Sequence, residues 1–142
     1  MIRRARPLDN ERALAIWRAS VDATHHFLTP ADRARIDLLV QDLLPRTEMW
    51  LAVDADGRPI GFMIAGEGRI EGLFVDPVHH GVGVGRALVA HARTESPVLT
   101  TEVNEQNEAA LAFYEHIGFV RTGRSETDDQ GLPYPLIHLY LG

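Results

Sequence analysis

The sequence predicts a single α/β domain, of the α+β kind, over residues 1–142. Its core is expected to be a mixed, mostly antiparallel sheet of about seven strands flanked by about four helices. Three observations lead to this prediction. The length suits one domain, and 45% hydrophobic with 24% charged residues is ordinary for a globular protein. The spacing of apolar residues also alternates between strand-like and helix-like periods, in the order βααβββαβαββ.

The first third of the chain is predicted to hold one strand and two helices. Residues 2–6 alternate in polarity like a short strand, and a helix capped by Asp9 or Asn10 follows to about Ala23. Thr29-Pro30 is a typical start for the second helix, which a later proline ends. The buried face of that helix is expected to consist of Ile36, Leu39, Val40 and Leu43.

Three strands are then predicted to form an antiparallel meander. The apolar runs 49–53, 60–65 and 70–75 are these strands, and Asp56-Gly57 between the first two is a hairpin turn signal. A glycine-rich segment follows the third strand. An amphipathic helix then runs to about Thr94.

The last third is predicted to add a strand at 98–103, a helix that Gly118 closes, and two strands at 119–124 and 136–141. A turn at 128–131 joins the final pair. One face of the helix carries Ala110, Phe113, Tyr114 and Ile117.

Composition excludes several classes of protein. The chain has no cysteine, which rules out a disulfide scaffold, a thiolate metal site and a cysteine nucleophile, and which fits a reducing cytoplasm. A net charge of -6 disfavours a dedicated nucleic-acid binder. We expect a cytoplasmic protein without a metal, because the sequence contains no apolar run long enough to span a membrane and no metal-ligand spacing.

The most informative segment is the glycine run after Val75, where an apolar strand ends and a helix begins. Glycines at every second position let backbone N–H groups approach a ligand closely, and the helix dipole adds positive potential. This arrangement predicts a site for an anion, most often a phosphate. The residues expected to form it are His80, Gly81, Val82, Gly83, Val84, Gly85 and Arg86.

Two common phosphate-binding motifs do not fit this segment. A Walker A loop needs Lys and then Ser or Thr after its last glycine, whereas Arg86 and Ala87 follow here. A dinucleotide-binding loop needs the spacing G-x-G-x-x-G in a parallel βαβ unit. The spacing here is G-x-G-x-G after an antiparallel hairpin, so that motif does not fit. A glycine turn with a purely structural role stays open as an alternative.

Two motifs together resemble the GCN5-related N-acetyltransferases. The first is Val75-x-Pro77 followed by His80-x-x-Gly83-x-Gly85 before a helix. The second is Asn107-x-x-Ala110-x-x-Phe113-Tyr114-x-x-x-Gly118-Phe119, a highly characteristic pattern of that family. The order of elements agrees, so the resemblance covers nearly the whole chain. One departure is His80, because the family usually has Arg or Gln at this position.

The resemblance implies acetyl-CoA as cosubstrate, with its pyrophosphate on the glycine segment. Backbone groups of Leu73, Phe74 and Val75 would pair with the pantetheine arm as an added strand would. The remaining cofactor-binding residues that it implies are Asn104, Asn107, Ala110, Phe113 and Tyr114. Asn104 and Asn107 could equally be ordinary helix caps, and Phe113 and Tyr114 could be core aromatics.

The chemistry would be attack of an amine on a thioester carbonyl. Because a lysine amine is almost fully protonated at neutral pH, a proton must leave before attack and another must reach the departing sulfur. The resemblance assigns the second task to Tyr114 as general acid. Where some relatives have a catalytic glutamate this chain has Arg69, so Glu71, two residues on, is the candidate base. His25 and His26 are rival bases and candidate acceptor-binding residues.

Within the family, the segments 20–28, 103–107 and 123–126 resemble a small bacterial peptidyl-lysine N-acetyltransferase. This implies transfer of the acetyl group to an amine, with a protein or peptide lysine as the expected acceptor. Two alternatives stay open, a small-amine acetyltransferase and a non-catalytic acetyl-CoA-binding module. We expect neither nucleic acid nor membrane as a partner, and a monomer or homodimer.

Overall fold

The computed structural model describes all of residues 1–142 and contains a seven-stranded sheet with four α-helices. The strands are β1 (Ile2–Arg4), β2 (Trp50–Val53), β3 (Pro59–Gly66), β4 (Arg69–Val75), β5 (Leu99–Asn104), β6 (Val120–Ser125) and β7 (Leu136–Leu141). The helices are α1 (Asn10–Thr24), α2 (Pro30–Leu43), α3 (Val84–Glu95) and α4 (Glu108–Ile117). The predicted order of elements is confirmed. None of the helices has the combination of length and apolar character that crossing a membrane requires.

The strands lie side by side in the order β1-β2-β3-β4-β5-β7-β6. Every neighbouring pair is antiparallel except β4 and β5, which are parallel, so the predicted mixed sheet is confirmed. The parallel pairing covers only Arg69 with Thr100 and Ile70 with Thr101. Beyond Ile70 the two central strands therefore separate, and the sheet opens in its middle.

Apolar residues are buried on both faces of the sheet. On one face α3 and α4 pack through side chains such as Leu88 and Leu111, which are 0% and 6% exposed. On the other face α1 packs through Ile16 and Trp17 against Phe62. These two clusters fix α1, α3 and α4 around the opening between β4 and β5.

The predicted buried face of α2 is confirmed only in part, because Ile36 and Val40 pack against the core cluster whereas Leu39 and Leu43 are exposed. The residues concerned are Ile36, Leu39, Val40 and Leu43, and none of the residues of α2 is fully buried. Leu39 and Leu43 are 45% and 48% exposed. The helix packs on α1 and on the turn that follows it, and ion pairs such as Arg18 with Asp37 help to hold it there. Periodicity identified the helix correctly but could not show that only its edge meets the core.

Asp9 also behaves differently from the prediction, because its side chain does not cap α1. The buried carboxylate accepts two hydrogen bonds from the Arg3 guanidinium, at 2.9 and 3.1 Å, and one from the Arg6 N–H at 2.8 Å. A guanidinium offers two parallel charge-assisted donors, which a helix terminus does not. The pairing fastens β1 to the start of α1.

Candidate active site

The opening between β4 and β5 forms a cleft of ≈ 540 Å³. Its walls are the end of α1, the second half of β4, the glycine segment, the start of α3 and one face of α4. The structure therefore brings together the two sequence motifs, which lie more than twenty residues apart in the chain. Both contribute to one continuous site.

Leu73, Phe74 and Val75 line the cleft along one edge of β4. They pair with β3 on their other side, but no residue of β5 pairs with them. The His80 Nε2–H donates to the carbonyl oxygen of Val75 at 3.0 Å, which fastens that ring to the end of the strand. An extended ligand with amide groups can add to such a strand edge through main-chain hydrogen bonds.

The glycine segment has the backbone conformation that its sequence predicts. Gly81 and Gly83 have φ values of 79° and 88°, where a side chain is strained, and no atom lies within 4 Å of a Cβ added at either. Ala87 N–H donates to the carbonyl of Gly83, as the first-turn hydrogen bond of α3. The N–H groups of the preceding helical residues, including Gly85, are left for a ligand. Val82 is exposed and does not line the cleft.

The cleft contrasts with the acidic chain around it, because no Asp or Glu lines it. The ionisable side chains that do are His25, His79, His80, Arg86, Tyr114 and His116. With the positive end of α3 at the same place, this lining favours an anionic ligand. The structure contains no group of three His, Asp or Glu residues that could hold a metal ion.

A half-buried ion pair holds the segment that enters the glycine run. The Asp76 carboxylate accepts hydrogen bonds from the Arg12 guanidinium at 2.8 Å and from the Val78 N–H at 3.2 Å. Arg12 also donates to the carbonyl of Pro59 at 3.1 Å. Burial raises the pKa of Asp76, but these donors lower it more, so the pKa lies below its usual value. Helix α1 and strand β3 thus brace the anion-binding segment.

Replacing Asp76 by Asn is expected to destabilise the protein at pH 7 by about 2 kcal/mol, or roughly 4–8 °C in Tm. Because the folded-state pKa is depressed, the stabilisation is present above the unfolded pKa and is lost as pH falls through the folded pKa. Melting curves of the parent and of Asp76→Asn from pH 7 to pH 3 should therefore converge in acid. A constant difference across that range would contradict the charge-based explanation.

The opposite wall is α4, which Asn107 caps by accepting a hydrogen bond from the Ala110 N–H at 3.2 Å. Asn107, Ala110, Phe113 and Tyr114 all line the cleft, as their helical spacing predicts. Asn104 does not line it, and its side-chain oxygen accepts the Gln106 N–H instead.

Gly85 lies against α4 so closely that an added Cβ would be 2.9 Å from the Phe113 ring. We expect Gly85→Ala to displace that ring and to raise the Kd for acetyl-CoA about tenfold, since overpacking typically costs about 1–3 kcal/mol. Gly66→Ala is the matched control, because its added Cβ meets no atom within 4 Å and the residue lies outside the cleft. Titration calorimetry measures the Kd of both variants for acetyl-CoA. Equal Kd values would show that the close approach of Gly85 to Phe113 does not matter for acetyl-CoA binding.

Tyr114 is almost fully buried, with 6% of its surface exposed, but it reaches the cleft. The rings of Phe113 and Phe119 lie edge-on to it at 5.0 and 5.1 Å. Burial raises the pKa of its hydroxyl, and the Thr101 side chain offsets only part of this effect. The hydroxyl therefore stays protonated throughout the ordinary pH range, so it can donate to a developing anion.

Of the other predicted residues near the acceptor end, the structure places only His25 in the cleft. His26 is exposed, and its Nε2 donates to the carbonyl of Ala23 at 2.9 Å. Glu71 is exposed on β4, just after the last pair with β5, and does not line the cleft. Neither residue's predicted role is supported by its position relative to the cleft.

Sequence reasoning missed five residues of the lining. They are Ser20, Thr24, His79, Ala109 and His116. A signal for two of them was present, since Ser20 and Thr24 are four residues apart and share the face of α1 that reaches the sheet. The others flank residues that the motifs had already identified.

Comparison with known proteins identifies the class to which this fold and cleft belong. Residues 20–135 match the family model described as "Acetyltransferase (GNAT) domain". The chain belongs to the GCN5-related N-acetyltransferase family. It is an acyltransferase that uses acetyl-CoA.

Individual relatives cover nearly the whole chain. The peptidyl-lysine N-acetyltransferase YjaB of Salmonella typhimurium strain LT2 is 51% identical over 138 residues, which is 97% of this chain and 95% of that protein. The solution structure of apo-form YjaB from Escherichia coli has a TM-score of 0.96 at 49% identity and covers 99% of this chain and 96% of its own. A Bacillus anthracis structure in complex with acetyl coenzyme A is 27% identical, with a TM-score of 0.59, over 66% of this chain and 62% of its own.

Proposed function

We propose that this chain is a peptidyl-lysine N-acetyltransferase. The observation that carries the proposal is the cleft, in which an anion-binding glycine segment, an unpaired strand edge and a buried tyrosine hydroxyl follow one another. These three features match the pyrophosphate, the amide-bearing arm and the thioester of acetyl-CoA. The lysine acceptor is inferred from the relatives named YjaB, which are about half identical over nearly their full length.

The residues of the cleft support a specific proposal for how acetyl-CoA binds. The N–H groups of 81–86, with His80 and Arg86, would hold the pyrophosphate, and the conformations of Gly81 and Gly83 leave room for it. The edge at 73–75 and the free amide nitrogen of Asn107 would bind the pantetheine amides, and the small side chain of Ala110 leaves space for that arm. Asn104 stays a predicted contact, although it does not line the cleft.

The catalytic residues that we propose are Tyr114 and a base near the acceptor. Acetyl-CoA supplies the acetyl group, and the Tyr114 hydroxyl donates to the departing sulfur. Two candidates can take the proton of the amine, Glu71 on the exposed part of β4 and His25 in the cleft. His26 is exposed outside the cleft, next to His25 in the chain, and stays a proposed contact of the acceptor only.

We propose that this protein works in the bacterial cytoplasm. Proteins there do not depend on disulfides, which suits a chain without cysteine, and both acetyl-CoA and protein lysines are present. The acceptor is a protein amine rather than a nucleic acid or a membrane lipid. A net charge of -6 suits a lysine-bearing, basic surface. The site lies within one chain, so a monomer or a homodimer would both be competent.

The test is release of CoA thiol from acetyl-CoA with a panel of lysine peptides and small primary amines. We expect release with peptides, a mass gain of one acetyl group on lysine, and a lower kcat/KM for the small amines. A higher kcat/KM for a small amine would replace the lysine acceptor in this proposal. Tight acetyl-CoA binding without thiol release for any acceptor would instead identify a non-catalytic binding module.

A further inference from the structure

Deprotonation of the acceptor amine needs a base, and the cleft contains no carboxylate. The imidazoles that line it are those of His25, His79, His80 and His116. Glu71, the carboxylate predicted from the sequence, is outside the lining. Among the side chains that line the cleft, an imidazole is therefore the group able to accept this proton.

Three of these four imidazoles belong to other parts of the cleft. His79 and His80 lie in the anion-binding segment, and the Nε2–H of His80 is engaged with the Val75 carbonyl at 3.0 Å. His116 is exposed on α4, two residues beyond Tyr114. His25 is the one imidazole contributed by the end of α1, the helix on the opposite face of the sheet from α3 and α4.

The hydrogen bonds around His25 determine which ring nitrogen carries the proton. The Thr24 hydroxyl donates its one proton to the carbonyl of Ser20 at 2.8 Å. The same oxygen lies 2.7 Å from Nδ1 of His25. With the hydroxyl proton on the Ser20 carbonyl, this oxygen accepts from the ring, and we assign the ring proton to Nδ1. In the neutral ring this leaves Nε2 without a proton, as a free acceptor.

We propose that His25 is the general base of this enzyme and that its Nε2 accepts the proton of the acceptor amine. Thr24 is a positioning residue, because it holds the tautomer through Nδ1. The assignment rests on the proposed acetyl transfer to an amine and makes it more specific. It also replaces Glu71 as the base by a residue that lines the cleft.

The surroundings of His25 keep the ring neutral. Burial lowers its pKa, and the adjacent His26 lowers it further. The ring contacts Phe27, with centroids 5.2 Å apart, and Phe27 contacts Tyr134 at 6.0 Å. The carboxylate on that side, Asp32, accepts the Tyr134 hydroxyl rather than facing the imidazole. The charged or titratable groups that share the cleft with His25 are His79, His80, Arg86, Tyr114 and His116.

The proton balance of the reaction is written for the neutral amine, which forms after the lysine ammonium has released one proton to solvent. The amine nitrogen forms a bond to the acetyl carbon, and the bond from that carbon to sulfur breaks. The nitrogen passes a second proton to Nε2 of His25, and one proton passes from the Tyr114 hydroxyl to the sulfur. Transfer of a proton from the His25 ring through solvent to the Tyr114 oxygen restores both residues.

The kinetic test compares His25→Gln with the parent in thiol release from acetyl-CoA and a lysine peptide. We expect kcat to fall about 100-fold while KM for acetyl-CoA stays within about twofold, since Gln cannot accept the proton. His91→Gln, on α3 outside the cleft, is the matched control and should retain the parental activity, and Glu71→Gln tests the rival base. A loss in Glu71→Gln with none in His25→Gln would overturn the assignment and leave the acetyl transfer standing.

The second test reads the tautomer directly from the imidazole ¹⁵N chemical shifts of the free enzyme. At pH 7 we expect His25 to carry its proton on Nδ1, and the preference should weaken in Thr24→Val together with kcat. A proton on Nε2 in the parent, or unchanged shifts and kcat in Thr24→Val, would contradict the proposal. No thiol release by the parent with any amine would overturn the proposed function and this assignment with it.

Discussion

Replacing Tyr114 by Phe is expected to lower kcat about 100-fold or more, because the departing sulfur loses its proton donor. The KM for acetyl-CoA should change little. The ring packs between Phe113 and Phe119, and Phe keeps that packing while it removes only the hydroxyl. Thiol release at saturating acetyl-CoA and lysine peptide measures the effect.

Tyr140→Phe provides the control for this comparison. Tyr140 is on β7, 39% exposed and outside the cleft, so its hydroxyl should not affect turnover. Both variants should melt near the temperature of the parent. Release of thiol by Tyr114→Phe at the parental rate would show that another group, or water, protonates the sulfur.

Replacing Phe62 by Ala is expected to have the largest effect on stability. The side chain is 0% exposed, at the centre of the cluster between α1 and the sheet. Loss of a buried phenylalanine ring typically costs about 3–5 kcal/mol, which corresponds to a fall in Tm of roughly 6–20 °C for a chain of this size. Thermal and urea unfolding followed by circular dichroism would measure the change.

The same substitution should also affect the cleft, because Phe62 lies opposite Phe74 across β3 and β4, with ring centroids 5.3 Å apart. Phe74 lines the cleft, so we expect its loosened ring to raise the KM for acetyl-CoA. Phe62→Leu is the matched control, since it retains most of the buried volume. It should lower the stability less than Phe62→Ala and raise the KM for acetyl-CoA less. A destabilised Phe62→Ala enzyme with unchanged KM would show that the core and the cleft are not coupled here.

The elements of the fold were predictable because their signals are local. The Asp56-Gly57 turn and the Gly118 cap each limit an element within a few residues of its observed end. Helix α2 shows where local signals fail. Its apolar spacing is genuine, but how deeply Leu39 and Leu43 are buried depends on where α1 and the sheet lie.

The cofactor part of the site was predictable for a similar reason, because each half is a compact motif with its own backbone geometry. The parts that could not be predicted join residues far apart in the chain. Arg12 and Asp76 are 64 residues apart, and Asp32 and Tyr134 are 102 apart. The separation of β4 from β5 is likewise a property of the assembled sheet. The tautomer of His25 depends on where Thr24 directs one proton, which no spacing reveals.

The most direct test of the central claim is a crystal structure of this chain with acetyl-CoA. We predict that the pyrophosphate oxygens accept hydrogen bonds from N–H groups between Gly81 and Arg86. We also predict that the thioester sulfur lies within hydrogen-bonding distance of the Tyr114 hydroxyl. A pyrophosphate bound elsewhere, or a sulfur out of reach of Tyr114, would contradict the assignment of this cleft as the acetyl-transfer site.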